Sequence, residues 1–513
     1  MKSNIIKIIL GGFIFLNATS CVEDKGTYTF TPVNEISVVS GIDTENGYKT
    51  LSKIDRLELT PEIAGTLSGK DESSLEFKWY IATGEASKDI KRTEIATTKN
   101  LDYGVDLLPG SYILYLEIKD KSTGLKWLTS ANLSVSSSLT TGFLLFGENE
   151  DRTVRLDMIS MPADRDTVVF ADLFPNETGL KGAKNLVFTG SYYKCQALWA
   201  MTDNGSFKLN SSTSFDLDKN ASAENMFYTT FNIKHPIQVL DIFPHYNRSK
   251  ALNGSNRGYI TEDGVYYANI IMSETFDNPK NRYSSSSKEL FTPYPSAFHT
   301  ATASSFSKLV LYDMDSNKFA VMNSPTYATN CLEIPSKVDD KFPWNQKDVH
   351  RTILYGENLY DTQKSSCTIM KGEDGTYHIY KFVPNTVAQL GYYQVNLDVA
   401  TNFPQASHFA FSSDQTVLLY SVGSQLWAYN YSYGTAAMLK DFGSEITYLS
   451  MEYHSIGEIT NFILATYDST NKGIVRKFDL GTDVNKLEMK ERPKDIWKTG
   501  MKVKQIQWKD STY

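Results

Sequence analysis

The chain contains 513 residues, which is more than one typical domain holds. Its 41% hydrophobic and 21% charged residues exclude a disordered or coiled-coil protein. A formal net charge of −8 argues against binding to nucleic acid through phosphate contacts, so we expect no nucleic-acid partner. The 31 Tyr, 27 Phe and 31 Gly favour many short strands joined by turns.

The N-terminal segment has the pattern of an export signal. Lys2 and Lys7 accompany a short apolar run at residues 8–16, which is too short to cross a bilayer. The small residues 18–20 then precede Cys21, as in a bacterial lipobox. We predict a lipoprotein signal peptide over residues 1–20, lipidation of Cys21 and a tether over residues 21–34. Ordinary secretion, with the cysteine there by chance, is the alternative.

The tether starts with an acidic stretch, Val22-Glu-Asp-Lys25. It resembles the surface-export signal of Bacteroidota lipoproteins, and a simple solvated tether is the alternative. The remaining thiols are Cys195, Cys331 and Cys367, an odd number that leaves at least one of them unpaired. A disulfide between Cys331 and Cys367 is one alternative. We favour the other, in which all three thiols are buried and unpaired.

Short alternating runs follow at residues 54–59, 75–80, 111–118 and 131–135. A period of two over four to eight residues indicates half-buried strands. Their number and spacing predict an immunoglobulin-like β-sandwich over residues 35–138, with Trp79 in its core. Pro109 and Gly110 would turn the chain into the strand that carries Tyr112.

Several short motifs in this region carry a resemblance. They are residues 23–28 (EDKGTY), 77–79 (FKW), 108–112 (LPGSY), 118–120 (IKD) and 123–124 (TG). Over residues 21–140 the chain resembles the PKD-like lipoprotein family of Bacteroidota. The resemblance implies an accessory protein of a SusC/SusD-type outer-membrane nutrient importer. Its implied partners are that transporter and companion lipoproteins, and its implied place is the outer membrane, lipid-anchored and facing the cell exterior.

The rest of the chain repeats one pattern: an apolar strand, a polar turn and a second apolar strand. Seven such hairpins begin near residues 143, 196, 257, 308, 366, 416 and 461. A period of roughly 50 residues is the signature of a β-propeller. Residues 237–242, 408–411 and 446–451 would be inner strands, and residues 503–508 would pair with the first hairpin and close the ring. We therefore predict an all-β chain, a sandwich followed by a seven-bladed β-propeller over residues 142–513.

Three histidines are candidate ligand-binding residues. His299, His350 and His408 fall at or near the predicted inner strands of three successive blades, so they would converge if their side chains enter the channel. Three unrelated polar residues lining a wet channel are the alternative. Tyr283 and Tyr294, in loops rich in Ser and Pro, are candidate ligand-binding aromatics, for which packing is the alternative.

We predict no metal site, cofactor or catalytic residue. Residues 313–317 (DMDSN) have the spacing that opens a calcium loop, but Lys318 and Ser324 stand where Gly and Glu are needed. A polar hairpin turn is the better interpretation.

The leading hypothesis is that the protein binds an oligosaccharide or peptide and serves an importer of the SusC/SusD type. We favour this binding role over an enzymatic one. The alternatives are a propeller enzyme, either a polysaccharide lyase or hydrolase or a peptidase, and a surface adhesin. In a propeller the loops determine ligand specificity and the fold does not, so the sequence does not identify the ligand.

Overall fold

The computed structural model describes residues 33–67, 72–83, 91–174, 179–189, 197–210, 215–245, 256–269, 276–301, 306–452, 461–483 and 486–509. The predicted signal peptide, Cys21, the tether up to residue 32 and Cys195 lie outside these ranges. The chain divides into two compact units, the first drawn mainly from residues before 135 and the second mainly from those after. Across the described ranges, the helices are four 3-10 turns at Glu72–Ser74, Ala223–Asn225, Lys347–Val349 and Phe403–Gln405.

Within the described residues, the N-terminal sandwich contains nine strands arranged in three sheets. They are β1 (Ile36–Ser40), β2 (Tyr48–Leu51), β3 (Arg56–Leu59), β4 (Glu62–Gly65), β5 (Leu75–Thr83), β6 (Arg92–Ala96), β7 (Leu101–Gly104), β8 (Gly110–Asp120) and β9 (Lys126–Ser136). The main sheet has the order β2-β9-β8-β5-β6, and β1 pairs with β4 and β3 with β7. The four runs expected to be strands lie in β3, β5, β8 and β9.

Alternation explains why these runs form the sandwich. In β5, Phe77 and Trp79 point to the same buried face, and Ile118 and Leu116 of β8 lie opposite them. Trp79 is fully buried and its indole N–H donates to the backbone oxygen of Thr98 at 3.0 Å. The prediction that Trp79 is a core aromatic is confirmed.

The second unit is a succession of small sheets, which we call blades 1 to 7. Blades 1 and 2 contain β10 (Gly142–Glu148), β11 (Val154–Ser160), β12 (Val168–Phe170), then β13 (Ala183–Thr189), β14 (Ala197–Thr202), β15 (Gly205–Leu209) and β16 (Leu217–Ser222). Blades 3 and 4 contain β17 (Val239–Phe243), β18 (Asn256–Thr261), β19 (Val265–Asn269), then β20 (Lys308–Asp313), β21 (Lys318–Asn323) and β22 (Leu332–Glu333).

Blades 5 to 7 have four strands each. They contain β23 (Arg351–Asn358), β24 (Ser366–Gly372), β25 (Tyr377–Val383), β26 (Ala388–Gln394), β27 (His408–Phe411), β28 (Val417–Val422), β29 (Gln425–Asn430), β30 (Thr435–Asp441), β31 (Glu445–Met451), β32 (Asn461–Asp468), β33 (Lys472–Leu480) and β34 (Met489–Thr499). The last strand is β35 (Lys502–Lys509). All seven predicted hairpins are confirmed as antiparallel pairs.

Apolar side chains fill the space between successive blades. In β10, Leu144 and Phe146 pack toward blade 2, whereas Phe143 and Leu145 pack toward blade 7. Comparable clusters join each blade to the next around the ring. Because both faces of these strands are buried, their sequences are continuous apolar runs without alternation.

The chain closes its own ring. Strand β35 pairs antiparallel with β10, placing Trp508 opposite Phe143 and Ile506 opposite Leu145. The hydroxyl of Thr499 also donates to Asp157 in blade 1 at 2.5 Å. This pairing makes β35 the inner strand of blade 1, so β10 has no free edge. The predicted closure by residues 503–508 is confirmed, and the second unit is a seven-bladed β-propeller across its described residues.

Candidate ligand-binding cavity

The inner strands of the propeller surround a cavity of about 480 Å³. Six blades supply its wall, through residues within 504–508, 241–245, 296–301, 355–360, 407–409 and 448–452. The volume falls within the range of roughly 300–1,000 Å³ that small-molecule pockets occupy. The three predicted inner strands, which correspond to β17, β27 and β31, all reach this cavity.

Asp241 and His245 form an ion pair at the blade 3 side of the wall. The Nε2 atom of His245 lies 2.7 Å from Oδ1 of Asp241. Burial opposes a charge on the imidazole, but attraction and the hydrogen bond from Asp241 outweigh it and raise the pKa of His245. The His245 side chain keeps 43% of its accessible surface and lines the cavity.

His299 enters the cavity from blade 4 and is only 6% exposed. Its ring packs against Phe243 and Phe306, with centroid distances of 5.6 and 4.6 Å. Its backbone N–H donates to Oδ1 of Asn358 at 3.0 Å. Nδ1 of His299 is shielded from solvent, and a hydrogen bond between the ring and the backbone of Thr300 opposes the effect of burial on its pKa. Burial lowers the pKa of His299 to about 4, so the ring is neutral at neutral pH.

His408 lines the same cavity from blade 6, but its ring is held by hydroxyl groups. Nδ1 lies 3.0 Å from Oγ of Ser407 and 3.0 Å from Oγ of Ser421. Burial lowers the pKa of His408, since desolvation disfavours the imidazolium.

Two carboxylates complete the polar wall. Glu452 is 5% exposed and lies 2.6 Å from Nζ of Lys477, which is 8% exposed. Glu357 accepts hydrogen bonds from the Tyr355 hydroxyl at 3.2 Å and from the Phe411 backbone N–H at 2.9 Å. Both acids are therefore fixed in position by neighbours within the propeller.

The other candidate residues lie elsewhere. His350 directly precedes β23 on an exposed turn, with Nδ1 3.5 Å from Glu373, and it does not line the cavity. Tyr283 packs between blades 3 and 4 and donates its hydroxyl to Asp313 at 2.9 Å. Tyr294 packs between blades 4 and 5, stacked on Phe298 at 6.2 Å. Burial raises the pKa of both tyrosines. Of the five candidates, the cavity brings together His299 and His408.

The segment considered as a calcium loop is the turn between β20 and β21. Oδ1 of Asp313 accepts the backbone N–H groups of Asp315 and Ser316, each at 2.9 Å. Within the described ranges, no group of three or more His, Cys, Asp or Glu residues could hold a metal ion.

Cys331 and Cys367 are free and buried, so they do not form a disulfide. Burial raises the pKa of Cys331 to about 12, which keeps the thiol protonated.

Sequence reasoning missed Asp241 and His245. Asp241 lies on a run of apolar residues that was expected to be an inner strand, and a carboxylate there needs a partner because it is buried. His245 follows four residues later. The sequence signal for this pair is an acidic residue on a predicted inner strand, followed closely by a histidine.

The cavity combines paired charges, neutral hydrogen-bonding groups and aromatic faces. Tyr355 and Phe409 lie with ring centroids 5.5 Å apart, and Trp508 meets Phe143 edge-on at 4.9 Å. Such a surface suits a polar ligand that also has an apolar face.

Comparison with known proteins gives a family match for part of the chain. A model described as PKD-like family matches residues 21–185, a segment that continues past the sandwich through blade 1. This confirms the PKD-like resemblance for that segment. Among curated proteins, none matches this chain.

Solved structures are similar only at low identity. A quinonprotein alcohol dehydrogenase-like protein from Bacteroides thetaiotaomicron is 12% identical, with a TM-score of 0.42, over 92% of this chain and 99% of that one. A protein assigned as a 6-phosphogluconolactonase from Bacteroides uniformis is 10% identical, with a TM-score of 0.39, over 72% and 99%. The extracellular domain of a protein assigned as a one-component system from B. thetaiotaomicron is 10% identical, with a TM-score of 0.36, over 91% and 69%. These likenesses carry no inference about activity or ligand.

The described residues contain no helix with the length and hydropathy needed to cross a membrane.

Proposed function

We propose that this protein is a lipid-anchored binding protein on the cell surface that serves an outer-membrane nutrient importer of the SusC/SusD type. In this proposal Cys21 carries the acyl chains and the propeller cavity receives an oligosaccharide or peptide. The observation that supports a binding role most directly is the cavity itself. Six blades supply polar groups to its wall, among them the side chains of Asp241, His299, Glu357, His408 and Glu452.

The physical argument is the combination of groups in one wall. Paired charges, hydroxyl groups and neutral imidazoles offer hydrogen bonds to a polar ligand. The aromatic rings of Tyr355, Phe409 and Trp508 offer the same ligand an apolar contact.

Copurification tests the partnership. A tagged chain, extracted in mild detergent from cells grown on the inducing nutrient, is expected to recover the importer and companion lipoproteins. A Cys21→Ala chain is the matched control, since it should leave the membrane fraction and lose those partners. Recovery of the tagged protein alone from induced cells would contradict the partnership.

An enzyme is the second candidate, because the cavity brings His299 and His408 together. Turnover of glycan or peptide pools by the purified protein, lost in His299→Ala or His408→Ala, would favour a lyase, hydrolase or peptidase. Binding to host glycoproteins without any importer partner would instead favour an adhesin.

A further inference from the structure

We propose that Ser407 and His408 are a nucleophile and its general base in the propeller cavity, and that the protein hydrolyses small carboxylic esters there. In this inference Oγ of Ser407 takes up the acyl group and Nδ1 of His408 takes up the hydroxyl proton. The inference goes beyond the proposed binding role and does not depend on the importer.

The two side chains lie within hydrogen-bond reach of each other. Oγ of Ser407 is 3.0 Å from Nδ1 of His408, inside the range of about 2.6–3.2 Å over which a base activates a hydroxyl group. The fold fixes both residues against β28. The backbone N–H of Ser407 donates to the backbone oxygen of Ser421 at 3.0 Å, and His408 lies opposite Ser421 in the strand register.

Two hydroxyl groups meet Nδ1 of His408, and they differ in access to the cavity. Oγ of Ser421 also lies 3.0 Å from Nδ1, but Ser421 is fully buried and is not one of the described residues that line the cavity. Ser407 is exposed and lines the cavity beside the half-buried His408. Ser407 is therefore the nucleophile, and Ser421, whose Oγ lies 3.1 Å from that of Ser407, is a positioning residue.

The imidazole of His408 is in the state that a base needs. Burial lowers the pKa of His408, so the ring is neutral and can accept a proton at neutral pH. Interaction with the backbone of Thr447 and attraction to Glu445 act in the opposite direction. Repulsion from Lys504 and Lys502 lowers the pKa further, which places positive charge close to the ring.

The reaction balances with water as the only co-reactant. Oγ of Ser407 bonds to the carbonyl carbon as its proton passes to Nδ1 of His408, and the C–O bond to the alcohol breaks as the alcohol takes that proton. Water then attacks the acyl group and gives a proton to Nδ1. That proton returns to Oγ as the acid leaves. Lys504 lines the cavity, faces Glu148 at 3.6 Å, and supplies positive charge to the oxyanion.

The same geometry selects the substrate class. Hydroxyl groups rather than a carboxylate hold Nδ1, so the imidazolium is stabilised less than in a complete triad. Esters, which are more reactive than amides, are therefore the expected substrates. The cavity of about 480 Å³ limits the acyl and alcohol groups to small ones.

Covalent labelling of the purified mature protein tests the nucleophile without any variant. The probes are a fluorophosphonate, which reacts with activated serines, and p-nitrophenyl acetate, both at neutral pH. We expect the fluorophosphonate on the peptide that contains Ser407, located by tandem mass spectrometry, and catalytic release of p-nitrophenolate. Labelling confined to other residues, or acetylation of Ser407 that persists without turnover, would overturn the proposal, as would the absence of both reactions.

Variants then assign the roles. Ser407→Ala should abolish the labelling, and Ser407→Ala and His408→Gln should each lower kcat/KM for p-nitrophenyl acetate by about a hundredfold or more. The matched control is Ser285→Ala, at an exposed serine outside the cavity, which should leave both readouts unchanged. Circular dichroism checks that each variant folds. Full turnover in folded Ser407→Ala would contradict the assignment. If the importer copurifies while Ser407 is inert, this inference fails and the proposed function stands.

Discussion

The two sides of the cavity satisfy their histidines differently. On the blade 6 side, His408 begins a regular strand and lies directly opposite Ser421 in the antiparallel register. That register delivers a hydroxyl partner to the ring. On the blade 4 side, the chain before His299 pairs with β20 only through isolated bridges, such as Phe298 with Val310. Regular pairing thus gives His408 a hydroxyl partner, whereas His299 on the irregular segment is held by packing against Phe243 and Phe306.

The largest expected effect is on the blade 7 wall. Lys477→Met removes the ammonium group that faces buried Glu452, and it should lower the free energy of unfolding by about 3 kcal/mol. Urea denaturation measures this, with exposed Lys498→Met as the matched control. The double variant Lys477→Met/Glu452→Gln should recover most of the loss. A loss below about 1 kcal/mol in the single variant would mean that the pair does not stabilise this wall.

The next effect is the pH dependence that His299 confers. Its folded pKa of about 4 lies below its ordinary value of 6.5, so the unfolded chain binds the proton more readily. The stabilisation from the neutral ring is therefore complete above pH 6.5 and decreases as the pH falls toward 4. Between pH 7 and pH 5 the wild-type protein should lose about 2 kcal/mol more than His299→Phe. Urea denaturation at both pH values measures this, and equal losses would contradict the assignment.

A smaller effect is expected on the other side of the comparison. Ser421→Ala removes one of the two hydroxyl groups that hold the His408 ring, and it should cost about 1 kcal/mol by the same measurement. Ser407 still bonds the ring, which limits the loss. A loss of unfolding free energy as large as that of Lys477→Met would show that the pair of Ser421 and His408 does more than position the His408 ring.

The smallest change in stability is expected at the ion pair, where the useful measurement is a titration. Asp241→Asn keeps the shape but removes the charge that raises the pKa of His245. Burial then dominates, and the pKa of His245 should fall, as followed by NMR of the imidazole. His408 is the internal control, since burial lowers its pKa and Asp241 is not among the causes. An unchanged His245 would place the cause of its raised pKa elsewhere.

The fold was largely predictable because its pattern is local. A continuous apolar run such as residues 143–146 arises wherever a strand is buried between two blades. The turn between two such strands must be polar. The closure was predictable too, since residues 503–508 had no hairpin of their own to join.

The cavity was predictable only in part. Sequence spacing placed His299 and His408 near inner strands, but it could not give the direction of each side chain. His350 has the same spacing and lies on an exposed turn, with φ of 52° just before β23. Tyr283 and Tyr294 looked like loop residues because their neighbours are polar, yet each packs between two blades. Side-chain direction depends on backbone turns that composition does not specify.

The closing strand has a consequence for biosynthesis. Asp157 and Thr499 are 342 residues apart in the sequence, and β10 has no partner on its inner edge until β35 is made. At typical rates of translation this interval is on the order of tens of seconds. Throughout it the nascent chain carries an unpaired apolar strand, which is an aggregation hazard. The ring is therefore a structure that the cell must protect while it is being made, and a chain cut short before residue 502 should be a substrate for chaperones and proteases.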